Sequence, residues 1–551
     1  MGEGGVDSGG TSGGGTSGGG TSGGGDAGHG NAAGEGASAG AGGETTGERI
    51  VFSVHADEGV RPISPLIYGA NQPGLDCDDA KARFTFCRHR SNSWSTYNWE
   101  TNASNAGKAD CNENNDALSA SSSPGAAIVE RIDAAAAVHA GSVVTLPTLG
   151  YVAADKASGS AAPECSGDIS ASVDYLNTRV VKSRAHKGAA LSLTPDTSDG
   201  WVNQDELVAF LKSVRGDANL LFSLDSQPEL WHLDHDKLRS QPLGYAEHLA
   251  LSESYAKAIK DNWAGAPVLG LVGYGFLAAY NLQESPDFAT DGPFLPYFLQ
   301  GMSERSQQAG VRLLDYVDLH WLSELYPDGA RVIYDGATPA AVAARVQAPR
   351  SLWDPDFVED SWIGSLVGGP IELLSWMQDA VDDNYPGTRV SLSEWAYGGT
   401  AHVSGAIAAA DALGTFGQRG VGLAGALSFG TQSPYLIGAF QAYRNYDGQG
   451  SAFGDTSVSA TSSDVSRAAI YASIDSADPS RLVLVAINRS AEAVASALTV
   501  EHDTSYASLK PYCITDGHAE PAAGSAIPTE GNNAFSLQLP AYSVCTLVAT
   551  E

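Results

Sequence analysis

The chain has 551 residues, enough for two cores and an appendage, with 43% hydrophobic and 17% charged residues. Its 64 acidic and 31 basic side chains leave a net charge of −33, which argues against nucleic acid or an anionic membrane as partner, since both demand basic faces. Of the 64 glycines, 22 fall in the first 47 residues, so the glycine excess belongs to a tail and the body has an ordinary globular composition.

Residues 1–47 repeat Gly-Gly-Thr-Ser and then drift through Gly, Ala and Ser. Such a chain buries too little surface to offset its ordering entropy and reads as a disordered tether. Order begins at 48–60, where Arg49-Ile-Val-Phe-Ser-Val54 is strand-like. With no parallel partner nearby, this strand is expected to join the C-terminal domain. From 61 to 450, short apolar runs alternate with helical stretches. The runs include 66–70, 142–146, 220–224, 268–272, 317–320 and 390–394; the helical stretches include 126–139, 204–214, 245–262 and 371–383. Apolar strands alternating with helices predict a parallel sheet covered by helices, and about eight such units predict a closed (β/α)8 TIM barrel, fold class α/β. An open doubly wound sheet is the alternative, but no glycine-rich phosphate loop follows the early strands. The most apolar run, 264–280, is interrupted by Pro267 and glycines and reads as buried barrel strand rather than a membrane span. After Asp447 the helical period stops, and the short strands of 451–551 predict a β-sandwich.

Six cysteines (Cys77, Cys87, Cys111, Cys165, Cys513, Cys545) are scattered without CxxC spacing. This favours disulfides over zinc. Cys513 and Cys545 share the C-terminal module and are the favoured pair, and the other four pair in any of three ways. The expectation is an exported protein, extracellular or tethered to the cell surface and monomeric, whose signal was removed before this numbering begins.

Catalytic groups of a barrel sit where strands end. Two strand ends stand out: Leu224-Asp-Ser-Gln-Pro-Glu-Leu-Trp231 and Ser393-Glu-Trp-Ala-Tyr-Gly-Gly399. A carboxylate at each of two strand ends, flanked by aromatics, suits glycosidic cleavage, in which one acid protonates the leaving oxygen and one carboxylate attacks or activates water. Trp231, Trp395 and Tyr397 offer apolar faces with polar edges for sugar rings, although each alone serves equally as packing at the barrel mouth. The Asp-rich stretches 76–79 and 110–116 could hold a structural calcium, but they lack an EF-hand pattern and read better as a solvated face. No cofactor is required by this chemistry.

Over most of 50–551 the chain resembles glycoside hydrolase family 44. The landmarks are Tyr97-Asn-Trp-Glu-Thr-Asn-Ala-Ser-Asn-Ala-Gly107, Gly150-Tyr-Val-Ala-Ala-Asp155, Tyr274-Gly-Phe-Leu-Ala-Ala-Tyr280, Leu313-Leu-Asp-Tyr-Val-Asp-Leu-His-Trp321, Gln347-Ala-Pro-Arg-Ser-Leu-Trp-Asp354 and Tyr443-Arg-Asn-Tyr-Asp-Gly448. The resemblance implies a (β/α)8 barrel with a β-sandwich, retaining cleavage of β-1,4-glucans including xyloglucan, and Glu394 as nucleophile. It also implies substrate contacts at Arg88, Asn92, Tyr97, Trp99, Ser226, Trp231, Tyr274, His320, Trp321, Trp395 and Tyr397. His320, taken alone, is as readily a satisfied core residue.

Where the family carries Asp-Asn-Glu-Pro, this chain reads Asp225-Ser-Gln-Pro228, so Gln227 stands at the general acid/base position and Ser226 replaces the asparagine that holds the sugar 2-hydroxyl. An amide has no proton to give at neutral pH, and such help is worth typically about 10²–10⁴-fold. The family's Arg-Leu-Gly-Gly-Asn appears as Arg88-His-Arg-Ser-Asn92, and a tryptophan near the last barrel strand is absent from 423–430. These coincident departures read as native divergence. Three functions follow: a weakened β-glycan hydrolase using Glu394, a catalytically silent carbohydrate-binding protein, or a hydrolase for another glycan. The last would use a relocated acid such as Glu229, with Arg90 and His89 as positive groups for a charged sugar.

Overall fold

The computed structural model describes residues 49–157 and 174–551. The expected tether at 1–47 and Cys165 lie outside the described residues. Eight parallel strands close a barrel in chain order: β1 (Gly69–Gln72), β2 (Phe86–His89), β3 (Gly141–Leu146), β4 (Leu220–Leu224), β5 (Val268–Tyr274), β6 (Tyr316–Leu322), β7 (Arg389–Ala396) and β8 (Leu423–Ala426). Helices such as Ala126–Ala137, Gln204–Arg215, Tyr245–Asn262, Phe294–Ala309, Leu373–Asn384 and Val403–Arg419 cover it.

The barrel interior is layered by the two-residue period of its strands. Phe86, Val143, Leu221, Leu269, Tyr316 and Leu423 form their own apolar cluster. Two residues further along β2 and β6, the same face carries Arg88 and Asp318, so an apolar plug supports a polar layer. Small residues make room for the plug: a Cβ on Gly69 would lie 1.9 Å from the Phe86 ring.

The 264–280 run differs from the expected single strand. The strand ends at Tyr274, and Gly275–Asn281 is helix. Gly275 makes the turn at φ 66°, a conformation glycine adopts without penalty. The sequence reading also missed a small three-stranded sheet, Tyr151–Ala153, Val180–Arg184 and Trp201–Asn203, inserted between β3 and β4. Its strands are three to five residues long, too short to register a period.

The C-terminal strands form one large curled sheet. Along it run His518–Ala523, Ser508–Thr515, Ser543–Thr550, Leu482–Asn488, Ala468–Ile474, Thr456–Ser462, Ile50–His55, Val494–Glu501 and Ala534–Leu539. Leu509 near one end and Phe535 near the other share a core cluster with Phe52 and Leu484, so the sheet folds over to make a sandwich. Ile50–His55 sits between two C-terminal strands, antiparallel to Thr456–Ser462 and parallel to Val494–Glu501. Leu482–Asn488 is buried throughout: Leu482, Leu484 and Ala486 enter the sandwich core, while Val483, Val485 and Ile487 pack with the barrel. Disulfides join Cys77 to Cys87 and Cys513 to Cys545, and Cys111 is also disulfide-bonded.

Candidate active site

The polar layer ends at the C-terminal mouth of the barrel. Glu394, near the end of β7, is 3% exposed. Arg88, from β2 and fully buried, places one guanidinium nitrogen on Glu394 Oε1 and donates to Asn71 Oδ1 at 3.1 Å and, through Nη2, to Ser226 Oγ at 3.0 Å. Asn71 fixes this layer from β1 by donating to the carbonyls of Ser393 (2.7 Å) and Gly425 (3.0 Å). Burial raises the Glu394 pKa, but the charges of His320, Arg88 and Arg90 and the Arg88 hydrogen bond outweigh it and bring the pKa down to about 2. Glu394 is therefore a carboxylate across the physiological range.

Gln227 faces it through His320. The amide Nε2 donates to His320 Nδ1 at 2.7 Å, and the same ring nitrogen lies 3.8 Å from Glu394 Oε2. Gln227 sits in the left-handed region (φ 53°), with its backbone N–H bonded to the Val272 carbonyl at 2.8 Å. Burial lowers the His320 pKa, against the pull of the Glu394 and Asp318 carboxylates. The arrangement is one ionised carboxylate, an imidazole and an amide where a second carboxyl group would complete a glycosidase pair.

Both oxygens of Asp225 and of Asp318 are occupied. Asp225 accepts from Ser95 Oγ (2.5 Å), the Thr148 backbone (2.6 Å) and hydroxyl (3.2 Å), and its own neighbour's N–H at Ser226 (2.9 Å). Asp318 accepts from Ser391 Oγ (2.6 Å), the Ser393 N–H (2.8 Å) and Ser393 Oγ (2.5 Å). Glu229 accepts the Tyr274 N–H at 2.6 Å, which braces the end of β5; its other oxygen is buried without a partner, and burial pushes its pKa up to about 7.

The remaining sequence-derived residues divide into two groups. Ser226, Tyr274 and His320 gather with Arg88, Gln227 and Glu394: Tyr274 stands opposite His320 in register and takes a hydrogen bond from Arg331 at 3.1 Å. Asn92 is engaged by Asp234. The large aromatics belong to the packing. Trp395 follows inward-pointing Glu394 and so points outward, edge-on to Phe416 and stacked with Phe440. Trp321 follows His320 and pairs with Trp395 in register, with 1% exposure, and Tyr397 lies beside it, 3% exposed. Tyr97 donates to Asn102, Trp99 donates to the Asn203 carbonyl and packs on Phe210, and Trp231 reaches toward Asp225; all three are 0–1% exposed. His89 is not a positive group: burial, with Arg131 and Arg88, lowers its pKa to about 3.

Sequence reasoning missed Asn71, Asp318 and the open aromatic pair of Tyr334 with Phe429, whose rings meet edge-on at 5.8 Å with Arg90 over Phe429 at 5.7 Å. Strand alternation from Arg88 and His320 is the signal that finds Asp318. Among the described residues, no group of three or more His, Cys, Asp or Glu side chains is placed to hold a metal ion. The acidic stretches make local turns instead: Asp79 accepts from the Lys81 and Ala82 backbone, and Asp110 from Ala106 and Asn115.

A sequence model of glycoside hydrolase family 44 matches residues 88–325. Endoglucanase A of Paenibacillus lautus is 34% identical over 518 residues, covering 91% of this chain and 72% of that protein. The chain belongs to glycoside hydrolase family 44. In fold it is similar to a family 44 xyloglucanase from Paenibacillus polymyxa, at 32% identity and a TM-score of 0.84, with 91% of this chain and 99% of that one covered. A Paenibacillus polymyxa family 44 xyloglucanase solved with xyloglucan is similar at a TM-score of 0.83 and 33% identity, over 91% of this chain and 99% of that one. Among the described residues of this family 44 chain, no helix is long and apolar enough to cross a membrane.

Proposed function

We propose that the protein is an exported, monomeric β-glycan-active family 44 member that engages β-1,4-linked glucan or xyloglucan through Glu394, with Gln227 in the acid/base position and hydrolysis correspondingly weakened. The observation that carries this reading is the ionised Glu394 between Arg88 and His320, with an amide rather than a carboxyl group on the other side of the ring.

Glu394 attacks the anomeric carbon while the leaving oxygen departs. Arg88 keeps the attacking carboxylate unprotonated and aims it, and Asn71 holds Arg88. Gln227 can hydrogen-bond the glycosidic oxygen but transfers no proton, so a sugar alkoxide leaves poorly and a stabilised aryloxide leaves well. The test compares xyloglucan with an aryl β-cellobioside. Turnover of the aryl glycoside with at least roughly tenfold recovery of xyloglucan cleavage in Ser226→Asn/Gln227→Glu supports the reading. No recovery would mean that the cleft itself has changed. The second reading, a silent carbohydrate-binding protein, is favoured by the same amide and is the outcome if oligosaccharide binds but neither substrate turns over. A relocated Glu229 acid is disfavoured by its hydrogen bond to Tyr274.

The disulfides favour an oxidising compartment. Thiol titration of native protein is expected to find no reactive cysteine, and six reduced cysteines would contradict export.

A further inference from the structure

Resting on the reading of Glu394 as nucleophile and Gln227 as a silent acid/base position, we infer a further activity: the protein transfers a glycosyl group from a donor with an anionic leaving group to an acceptor that arrives already deprotonated, in preference to water. Retaining hydrolysis needs a base other than the nucleophile in its second step, because water must lose a proton as it attacks the glycosyl ester. Around Glu394 each candidate is withdrawn. Asp225 has both oxygens held by Ser95, Thr148 and Ser226. Asp318 has both held by Ser391 and Ser393. Glu229 is bound to the Tyr274 N–H through one oxygen and its other, unpartnered oxygen is buried away from solvent, Gln227 has no basic atom, and His320 Nδ1 already accepts from Gln227.

The two steps balance without a proton carrier. In the first, a Glu394 oxygen forms a bond to the anomeric carbon while the bond to the leaving oxygen or sulfur breaks, and that atom departs with the electron pair as a stabilised anion. In the second, a lone pair of an incoming anion, such as a thiolate, azide or carboxylate, bonds to the anomeric carbon from the opposite face. The ester bond to Glu394 breaks and the carboxylate is restored. One anion enters for each that leaves, and two inversions give a β-configured product. The positive field that Arg88 and Arg90 exert at Glu394 favours anions at this site in both steps.

The experiment uses the full chain with dinitrophenyl β-cellobioside and sodium azide. The expected result is a burst of one dinitrophenolate per chain, a cellobiosyl adduct on the peptide carrying Glu394, and a slow steady state that azide accelerates at least roughly tenfold while β-cellobiosyl azide accumulates. Glu394→Gln abolishes the burst, and Gln227→Glu restores water as acceptor and removes the azide dependence. A burst followed by release of free cellobiose at a rate indifferent to azide overturns the transfer activity while leaving Glu394 as nucleophile. No burst and no adduct, from wild-type protein whose thermal transition shows it folded, overturns both.

Discussion

Arg88 and Glu394 are the most interdependent residues in the site. The depressed pKa of Glu394 means that its ionised form stabilises the fold above about pH 4.5 and that this contribution is lost as pH falls toward about 2. Arg88→Met should leave a buried carboxylate without its partner, a change that costs about 3–5 kcal/mol in comparable cases. It should also move the acid limb of the aryl-glycoside burst to higher pH; a burst-rate profile from pH 3 to 8 reads the shift. Glu229 behaves in the opposite sense. Its pKa is raised to about 7, so the folded state binds the extra proton between about pH 4.5 and 7, and stability falls as pH rises through that window. Glu229→Gln keeps an acceptor for the Tyr274 N–H and removes the ionisation. The variant should gain about 1–3 kcal/mol over wild type at pH 8 and little at pH 5, measured by denaturant titration at both values. At this scale the motif Ser393-Glu-Trp395 points to a residue that the barrel brings against Arg88. The sequence was opaque where one buried polar group exists to hold another: nothing adjacent to Asn71 announces that its amide bridges Arg88, β7 and β8.

The barrel strands decide which of those residues meet. The helices were legible almost to the residue, as in the coincidence of 245–262 with Tyr245–Asn262, because their apolar period runs over several turns. The outward turn of Trp321 and Trp395 was also latent in the text, since adjacent strand residues point to opposite faces and Glu394 and His320 must face the cleft. What the text did not carry was register. β5, β6 and β7 each slip in pairing near their mouths, and these irregularities set the heights at which Tyr274, His320 and Glu394 stand. The close approach of β1 to β2 gives a direct test. Gly69→Ala places a methyl carbon against the Phe86 ring, two residues before Arg88. The variant should lose about 1–3 kcal/mol and slow the aryl-glycoside burst, because the strain displaces the strand that aims the guanidinium. Calorimetry and burst kinetics on one preparation separate the two effects.

Across the whole molecule, barrel and sandwich are joined by a buried polar knot. Arg489 makes two 2.7 Å bonds to the Asp411 carboxylate, with both side chains fully buried, and Tyr471 donates to the same carboxylate at 2.7 Å. Arg489→Met alone strands Asp411 and should cost about 3–5 kcal/mol, whereas Asp411→Leu/Arg489→Met should recover most of that loss. Thermal unfolding of the single and double variants checks both. If the double variant is as unstable as the single, the knot matters for more than charge pairing.

The insertion of Ile50–His55 into the C-terminal sheet bears on how the chain is made. Val51 bonds to Ser463, 412 positions later, and pairs in parallel with Ala497. The ribosome therefore releases one of the earliest strands long before either neighbour exists. The barrel can form during synthesis, but the sheet closes only when the last hundred residues emerge, and any product truncated before them keeps a bare apolar strand for quality control to recognise.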